Sequence, residues 1–280
     1  MLSRIAARYD VYLIDMWGTV YDRGAGLYAK AAACLAQLKR AGKCVILTSN
    51  AARPAASELS RQLGAAAREL PHDHLVTAGE VIRGMARGGE GPVARLGRRY
   101  YTLGHERNRG LLADLGFEEA GHPRDAAFIV VAGLAGSDDA TSHDHPVFRR
   151  SRELLAGALE RRTPLFVAKS DWLTVFPDGA PWIGPGPLVE WYAQRGGPVH
   201  VVGKPAPAYY EHCASRFPPG WRAVLAIGDH RATDIEGGAR CGYDTLLVRS
   251  GIESRIAALA QLERGEPGAP PTYETEVLEW

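Results

Sequence analysis

The sequence predicts an α/β fold: a doubly wound parallel sheet carrying a second, smaller α/β domain as an insert. Three observations predict it. Short apolar, β-prone runs alternate with Ala/Leu-rich helical stretches near the N-terminus, which is the pattern of a parallel sheet with crossover helices. The middle of the chain breaks that rhythm with Gly/Pro-rich and polar stretches, and from Pro198 the first texture returns. Each strand-like run of the first texture also ends abruptly in polar residues, at the carboxyl edge where open α/β sheets bind ligands.

Taken in order, Val11-Tyr12-Leu13-Ile14 reads as a buried strand that stops at Asp15, with Gly18 and Thr19 turning the chain. Tyr28 to Arg40 reads as a helix ended by Ala41-Gly42, because glycine relieves the left-handed cap. Cys44 to Leu47 is the next strand, closing in Thr48-Ser49-Asn50, and Pro54 to Leu63 restarts a helix. Gly88-Gly89-Glu90-Gly91-Pro92 then breaks the chain. Ala126 to Ala132 is a strand, Ser137 to His145 a polar loop, Phe148 to Glu160 a helix and Pro164 to Ala168 a strand. Gly179, Gly184 and Gly186 with interleaved prolines mark a second irregular stretch. The returning strands are Val199 to Val202, running into Gly203-Lys204-Pro205, then Ala223 to Ile227, running into Gly228-Asp229, and Thr245 to Val248. A Pro/Gly stretch from Gly265 to Pro271 precedes a last short segment, Thr272 to Trp280. The expected division is a main domain of residues 1–82 and 186–280 with an inserted domain of residues 83–185.

Composition narrows the function. With 46% apolar and 23% charged residues the 280-residue chain is an ordinary globular one, and a net charge of +1 supplies no field for nucleic acid or an anionic membrane. The four cysteines lie far apart without metal-type spacing, as expected of buried free thiols in a reducing compartment. No apolar run approaches the ~20 residues of a membrane span and the start lacks a signal-like apolar stretch, so the expected location is the cytoplasm.

The chemistry gathers at strand ends. Asp15, Thr48-Ser49-Asn50, Lys204, and Asp229 with Asp234 would line one crevice of a doubly wound sheet. Three carboxylates, an ammonium and hydroxyls suit a Mg²⁺ ion and phosphoryl transfer, since Mg²⁺ takes oxygen ligands and shares its shell with phosphate. Singly, each has a structural reading: Asp15 and Asp234 as helix caps, Thr48-Ser49-Asn50 as a turn, Gly203-Lys204-Pro205 as an ordinary loop. Elsewhere the structural reading prevails. His143 and His145 with Asp138, Asp139 and Asp144 fit a solvated loop, His72 and His74 around Asp73 a surface turn, and Trp172, Trp182 and Trp191 packing.

The order of these motifs resembles the haloacid dehalogenase superfamily over most of the chain. Asp15-Met16-Trp17-Gly18-Thr19 stands for its DxDGT motif, Thr48-Ser49-Asn50 for the Ser/Thr motif, and Lys204 for the lysine. Gly228-Asp229-His230-Arg231-Ala232-Thr233-Asp234 is a complete GDxxxTD. The insert before Gly203-Lys204-Pro205 is similar to class IIA, NagD-type members with a C2-type cap, and Lys169-Ser170-Asp171 with Pro177 and Gly184-Pro185-Gly186 resembles that branch's cap segment without its Asn. The resemblance implies a Rossmann-like core and a Mg²⁺-dependent phosphatase of small phosphorylated metabolites. Asp15 would be the nucleophile and form an aspartyl-phosphate. Asp15, the Trp17 carbonyl and Asp229 would hold the metal, with Asp234 acting through a water. Lys204 and Ser49 or Thr48, with Asn50 alongside, would hold the phosphoryl oxygens. It also implies a possible homodimer.

Trp17 departs from the family. Its phosphatases place a carboxylate there to protonate the leaving oxygen and then deprotonate water, a contribution of roughly 10²–10⁴ in rate. Three readings follow: a phosphatase that is slow, restricted to good leaving groups, or served by another group such as Asp22 or His230; a phosphate-binding or regulatory protein with an impaired site; and a metal-independent dehalogenase. The family's dehalogenases carry an aromatic residue at this position but usually lack the acidic pair kept here as Asp229 and Asp234. Asp171 in the insert is a further candidate for substrate contact.

Overall fold

The structure, a computed structural model, describes residues 2–22, 26–64, 70–87, 91–134, 145–175, 181–251 and 268–280. Asp138, Asp139, His143 and Asp144 lie outside the described residues, as do Gly88-Gly89-Glu90, Gly179 and the start of the Pro/Gly stretch at Gly265.

In chain order the elements are β1 (Val11–Asp15), β2 (Tyr21–Asp22), β3 (Gly26–Leu27), α1 (Ala29–Arg40), β4 (Cys44–Ser49), α2 (Ala55–Leu63), β5 (His74–Thr77) and α3 (Ala78–Ala86). There follow β6 (Arg99–Leu103), β7 (Glu118–Glu119), β8 (Phe128–Val131), α4 (Pro146–Glu160), β9 (Leu165–Val167), β10 (Leu173–Val175), β11 (Pro181–Ile183) and α5 (Gly186–Gln194). The chain ends with β12 (Val199–Val201), α6 (Pro207–Ala214), β13 (Val224–Gly228), α7 (Glu236–Arg240), β14 (Asp244–Val248) and β15 (Tyr273–Thr275).

The chain divides into two compact units, one of residues 1–49, 55–76 and 204–280, the other of residues 50–54 and 77–203. The expected breaks at 83 and 185 thus move to 77 and 203. Thr77 is the N-cap of α3, accepting from the Glu80 N–H, so the helix begins where the second unit does. At the other end β12 hydrogen-bonds β9 and extends the second unit's sheet, which takes Val199–Val201 away from the first.

The first unit is built on a six-stranded sheet of order β15-β14-β13-β1-β4-β5. Numbered along the chain this is the doubly wound order 3-2-1-4-5-6, read from its far edge, and its reversal point lies between β1 and β13. β1 sits at the centre because Val11 to Asp15 are buried on both faces, as parallel strands between helix layers must be. It pairs in parallel with β13, Ile14 opposite Ile227, and with β4, Asp15 opposite Thr48. Tyr12, Ile14, Leu35, Leu38, Val45, Leu47, Leu225 and Leu246 share one continuous core, and Leu2 and Leu278 pack into it from the two chain ends. β15, expected only as a short tail segment, closes the sheet beside β14.

The second unit has its own parallel sheet, order β12-β9-β8-β6-β7, with an antiparallel β10–β11 ribbon. Tyr100, Phe128 and Phe166 form an aromatic run on it, with centroids 5.7 Å apart at each step. Arg83, buried on α3, makes a two-pronged ion pair with Asp114 and donates to the Leu111 carbonyl. All four cysteines are free thiols, three of them buried. Among the described residues no helix is long and apolar enough to cross a membrane.

Candidate active site

The reversal point of the first sheet places the carboxyl ends of β1 and β13 side by side, and the candidate site is built there. Asp15, at the end of β1, is buried. Directly after it the chain folds into a tight turn: the Val20 and Tyr21 N–H groups both donate to the Met16 carbonyl, and the Gly18 N–H donates to Tyr21 O at 2.7 Å. Gly18 has φ of +81°, and a Cβ on it would lie 1.8 Å from Asp229 Oδ2. Glycine is therefore required twice, by the backbone and by the carboxylate pressed against it. Gly251 approaches Asp229 from another side, its Cβ position 2.2 Å from the aspartate's own Cβ.

After β13 the chain makes one turn of π-helix, Arg231–Ile235, a rare form that recurs at functional sites. This turn returns Asp234 beneath Gly228, where any side chain at 228 would strike the Asp234 carboxyl group at 2.2 Å. The GDxxxTD spacing is thereby explained: the glycine gives room to the second aspartate. Oxygen atoms of Asp15, Asp229 and Asp234 all lie within 4.8 Å of one another, and all three residues are buried.

Lys204 joins these elements. Its ammonium donates to Asp15 Oδ1 at 2.5 Å, to Asp234 Oδ1 at 2.6 Å and to Thr48 Oγ1 at 3.5 Å, at 3% exposure. Burial works against the lysine's charge, but Asp15 and Asp234 outweigh it and raise its pKa far above the usual range. Asp15 shows the opposite balance. Burial, helped by Asp234 and Asp229, pushes its carboxyl well above the ordinary value although Lys204 pulls it down.

Three carboxylates and one ammonium carry a formal charge of −2 in a buried cluster. Such an excess is costly away from water unless it is compensated. A small divalent cation with hard oxygen preference fits both the charge and the donor set, so the residues suit Mg²⁺.

Of the residues read from the sequence, Asp15, Thr48, Lys204, Asp229 and Asp234 come together. Ser49 is half-buried, and its backbone N–H donates to the Tyr209 hydroxyl at 2.8 Å. Trp17 lies half-exposed in the turn, its ring edge-on to Tyr21 with centroids 6.0 Å apart. His230 is buried, with Nδ1 3.1 Å from Thr233 Oγ1, which in turn donates to Asp234 Oδ2 at 3.3 Å. Asp22 is buried in the β2–β3 ribbon, outside the carboxylate cluster. Asn50 and Asp171 belong to the second unit, where Asn50 lies against Gly203 and Asp171 lies 3.9 Å from Lys169. Asp73, read as part of a surface turn, is exposed but clasps Val45 N–H and Lys39.

Residues 12–118 match the model of the haloacid dehalogenase-like hydrolases, and residues 201–277 match a second, HAD-hydrolase-like model. Chronophin of Rattus norvegicus is 30% identical over 273 residues, covering 95% of this chain and 84% of its own. The chain is a haloacid dehalogenase-like hydrolase. It belongs to the class IIA branch of that superfamily, among relatives named as phosphatases. The D-glycerol 3-phosphate phosphatase of Mycobacterium tuberculosis is 28% identical, covering 97% of this chain and 70% of its own. A haloacid dehalogenase-like hydrolase of Brucella suis has the same fold, with a TM-score of 0.80, 28% identity and coverage of 99% and 98% of the two chains.

Sequence reasoning passed over Tyr209 and Tyr210, two buried residues of α6 that hydrogen-bond around this site. In the sequence they are a Tyr doublet shortly after Gly203-Lys204-Pro205, which by itself does not signal a site.

Proposed function

We propose that this hydrolase is a Mg²⁺-dependent phosphatase of small phosphorylated metabolites that works through an aspartyl-phosphate on Asp15. The observation that carries the reading is Lys204, which bridges the carboxylates of Asp15 and Asp234 at the sheet's reversal point while Asp229 lies within 4.8 Å of both. The relatives named as phosphatases support the same reaction class.

Asp15 attacks phosphorus in line with the leaving oxygen, the P–O bond to that oxygen breaks, and the phosphoryl group passes to the carboxylate. Water then attacks the same phosphorus and gives up its proton to solvent, the P–O bond to Asp15 breaks, and phosphate leaves with the Asp15 carboxylate restored. Lys204 stays cationic and offsets charge on Asp15 and on the phosphoryl oxygens, and the hydroxyl of Ser49 or Thr48 donates to those oxygens. Asp15, Asp229, the Trp17 carbonyl and Asp234 would hold Mg²⁺, which when bound supplies positive charge against the phosphoryl oxygens.

What Trp17 removes is proton transfer. The indole N–H is a donor without useful acidity, so the leaving oxygen must depart unaided or take its proton from water. The reaction therefore favours substrates whose leaving oxygen is already a weak base, such as aryl or acyl phosphates, over alkyl phosphates. The test is Mg²⁺-dependent release of 4-nitrophenol from 4-nitrophenyl phosphate, with Asp15→Asn as the control. Turnover in the native protein and none in the variant is the expected result. No turnover in the native protein, together with binding of inorganic phosphate, favours the second reading that Trp17 motivates: a phosphate-binding protein with an impaired catalytic site.

A further inference from the structure

Helix α6 begins three residues after Lys204, and its first turn carries Tyr209 and Tyr210 at 0% and 2% exposure. Both hydroxyls end on backbone, that of Tyr209 on two strand ends and that of Tyr210 on the π-helical turn. The Tyr209 hydroxyl accepts from the Ser49 N–H at 2.8 Å and donates to the Val76 carbonyl at 2.7 Å, tying the end of β4 to the end of β5. The Tyr210 hydroxyl reaches the Thr233 and Asp234 carbonyls, each at 3.2 Å, and so holds the π-helical turn from which Asp234 projects toward Lys204. The rings pack edge-on at 5.7 Å, and Tyr210 continues into Tyr243 at 6.3 Å. Gly237 completes the fit, because a Cβ there would lie 2.5 Å from the Tyr210 hydroxyl.

We propose that Tyr209 and Tyr210 are separate positioning residues, Tyr210 for the metal-holding turn and Tyr209 for the phosphate-holding end of β4. The inference rests on the phosphatase reading above. Neither phenol touches a reacting atom; each acts through the peptide it holds. A phenylalanine at either position fills the same volume, so the ring packing survives and only the hydroxyl is lost. At Tyr210 that loss removes the one hydroxyl proton shared between the Thr233 and Asp234 carbonyls and lets the turn relax away from Lys204. At Tyr209 it removes the hydroxyl that links the Ser49 N–H to the Val76 carbonyl, while the three carboxylates keep their places.

The two substitutions must therefore fail differently. Removing a partner that orients a metal ligand typically weakens metal affinity by roughly tenfold or more. Tyr210→Phe is expected to weaken Mg²⁺ binding, read by calorimetric titration without substrate, by about tenfold, and to leave the inhibition constant for inorganic phosphate at saturating Mg²⁺ nearly unchanged. Tyr209→Phe is expected to raise that inhibition constant and KM severalfold while the Mg²⁺ titration matches the native protein. Equal losses of both affinities in both variants, or lowered melting temperatures with both affinities intact, would show that the pair only packs the core and would overturn the proposal. Failure of the phosphatase reading is seen separately, as native protein that binds Mg²⁺ without Mg²⁺-dependent turnover.

Discussion

Trp17→Asp tests the chemistry of this site most directly. The substitution puts a carboxyl group two residues after the nucleophile, on a turn whose backbone is fixed by the Met16 carbonyl and by Gly18. A positioned acid/base contributes roughly 10²–10⁴ in rate, which corresponds to about 3–5 kcal/mol off the barrier. The structural cost is small by comparison. Trp17 is half-exposed, and its edge-on contact with Tyr21 is worth roughly 0.5–1.5 kcal/mol beyond its buried area. The gain must also depend on the leaving group. An alkyl phosphate, whose leaving oxygen needs a proton, is expected to gain far more in kcat than 4-nitrophenyl phosphate, whose leaving oxygen does not. The assay is steady-state hydrolysis of both substrates by the native protein, Trp17→Asp and Trp17→Asn, the last matching the shape of aspartate without its acidity. If Trp17→Asp melts like Trp17→Asn, binds Mg²⁺ and still shows no gain on the alkyl phosphate, the assignment of position 17 as the missing acid/base is wrong.

Lys204→Met leaves Asp15 and Asp234 buried without their shared ammonium, and breaking such a pairing costs roughly 3–5 kcal/mol. Calorimetry of the metal-free protein should show a melting temperature lower by about 6–20 °C, with Mg²⁺ restoring part of it. Gly18→Ala drives a methyl group into the Asp229 carboxylate in a backbone conformation that alanine resists, so Mg²⁺ binding should vanish in a titration even where the circular dichroism spectrum stays native. In the second unit, the hydrogen bonds from Arg83 lower the Asp114 carboxyl to about 2. A depressed carboxyl stabilises the folded state above its unfolded value of roughly 4 and loses that contribution as pH falls toward 2. Acid titration of the native protein should thus show an unfolding component in that window which Asp114→Asn lacks.

Much of the first unit was legible because its strands are buried on both faces and read as unbroken apolar runs. β1, β4, β13 and β14 each lie within a residue or two of the expected spans, and the polar residue that closes each run marks the carboxyl edge. β15 was less visible, since a three-residue edge strand with one exposed position has no apolar run to announce it. The second unit's limits moved because its closing strand, Val199–Val201, has the same texture as the core strands; only its pairing with β9 assigns it. In the site, Asp15, Lys204, Asp229 and Asp234 could be read from motif spacing. Tyr209 and Tyr210 could not, because their role is exerted on backbone carbonyls and amides of segments 133 and 160 residues away along the chain for Tyr209, a pairing that no local pattern encodes.

Charge balance bears on what Trp17 does in the proposed site. With Trp17 the cluster of Asp15, Asp229, Asp234 and Lys204 has a formal charge of −2, which one divalent cation neutralises. A further aspartate at position 17 would leave −1 facing a phosphate dianion when ionised, and two unit charges about 4 Å apart repel by about 4 kcal/mol at an effective dielectric of 20. Trp17 thus removes a repulsion in the ground state along with a proton donor in the transition state. Substrate binding and leaving-group departure are pulled in opposite directions by one side chain. On the phosphatase reading, hydrolysis of phosphates with weakly basic leaving oxygens and retention of bound phosphate would therefore be two consequences of Trp17, and the leaving group would decide which dominates. A scaffold with the proposed nucleophile, lysine and metal-site aspartates but no proton-transfer group at position 17 is consistent physically: each of those residues would act on phosphate charge, and none of them needs Trp17 to be acidic.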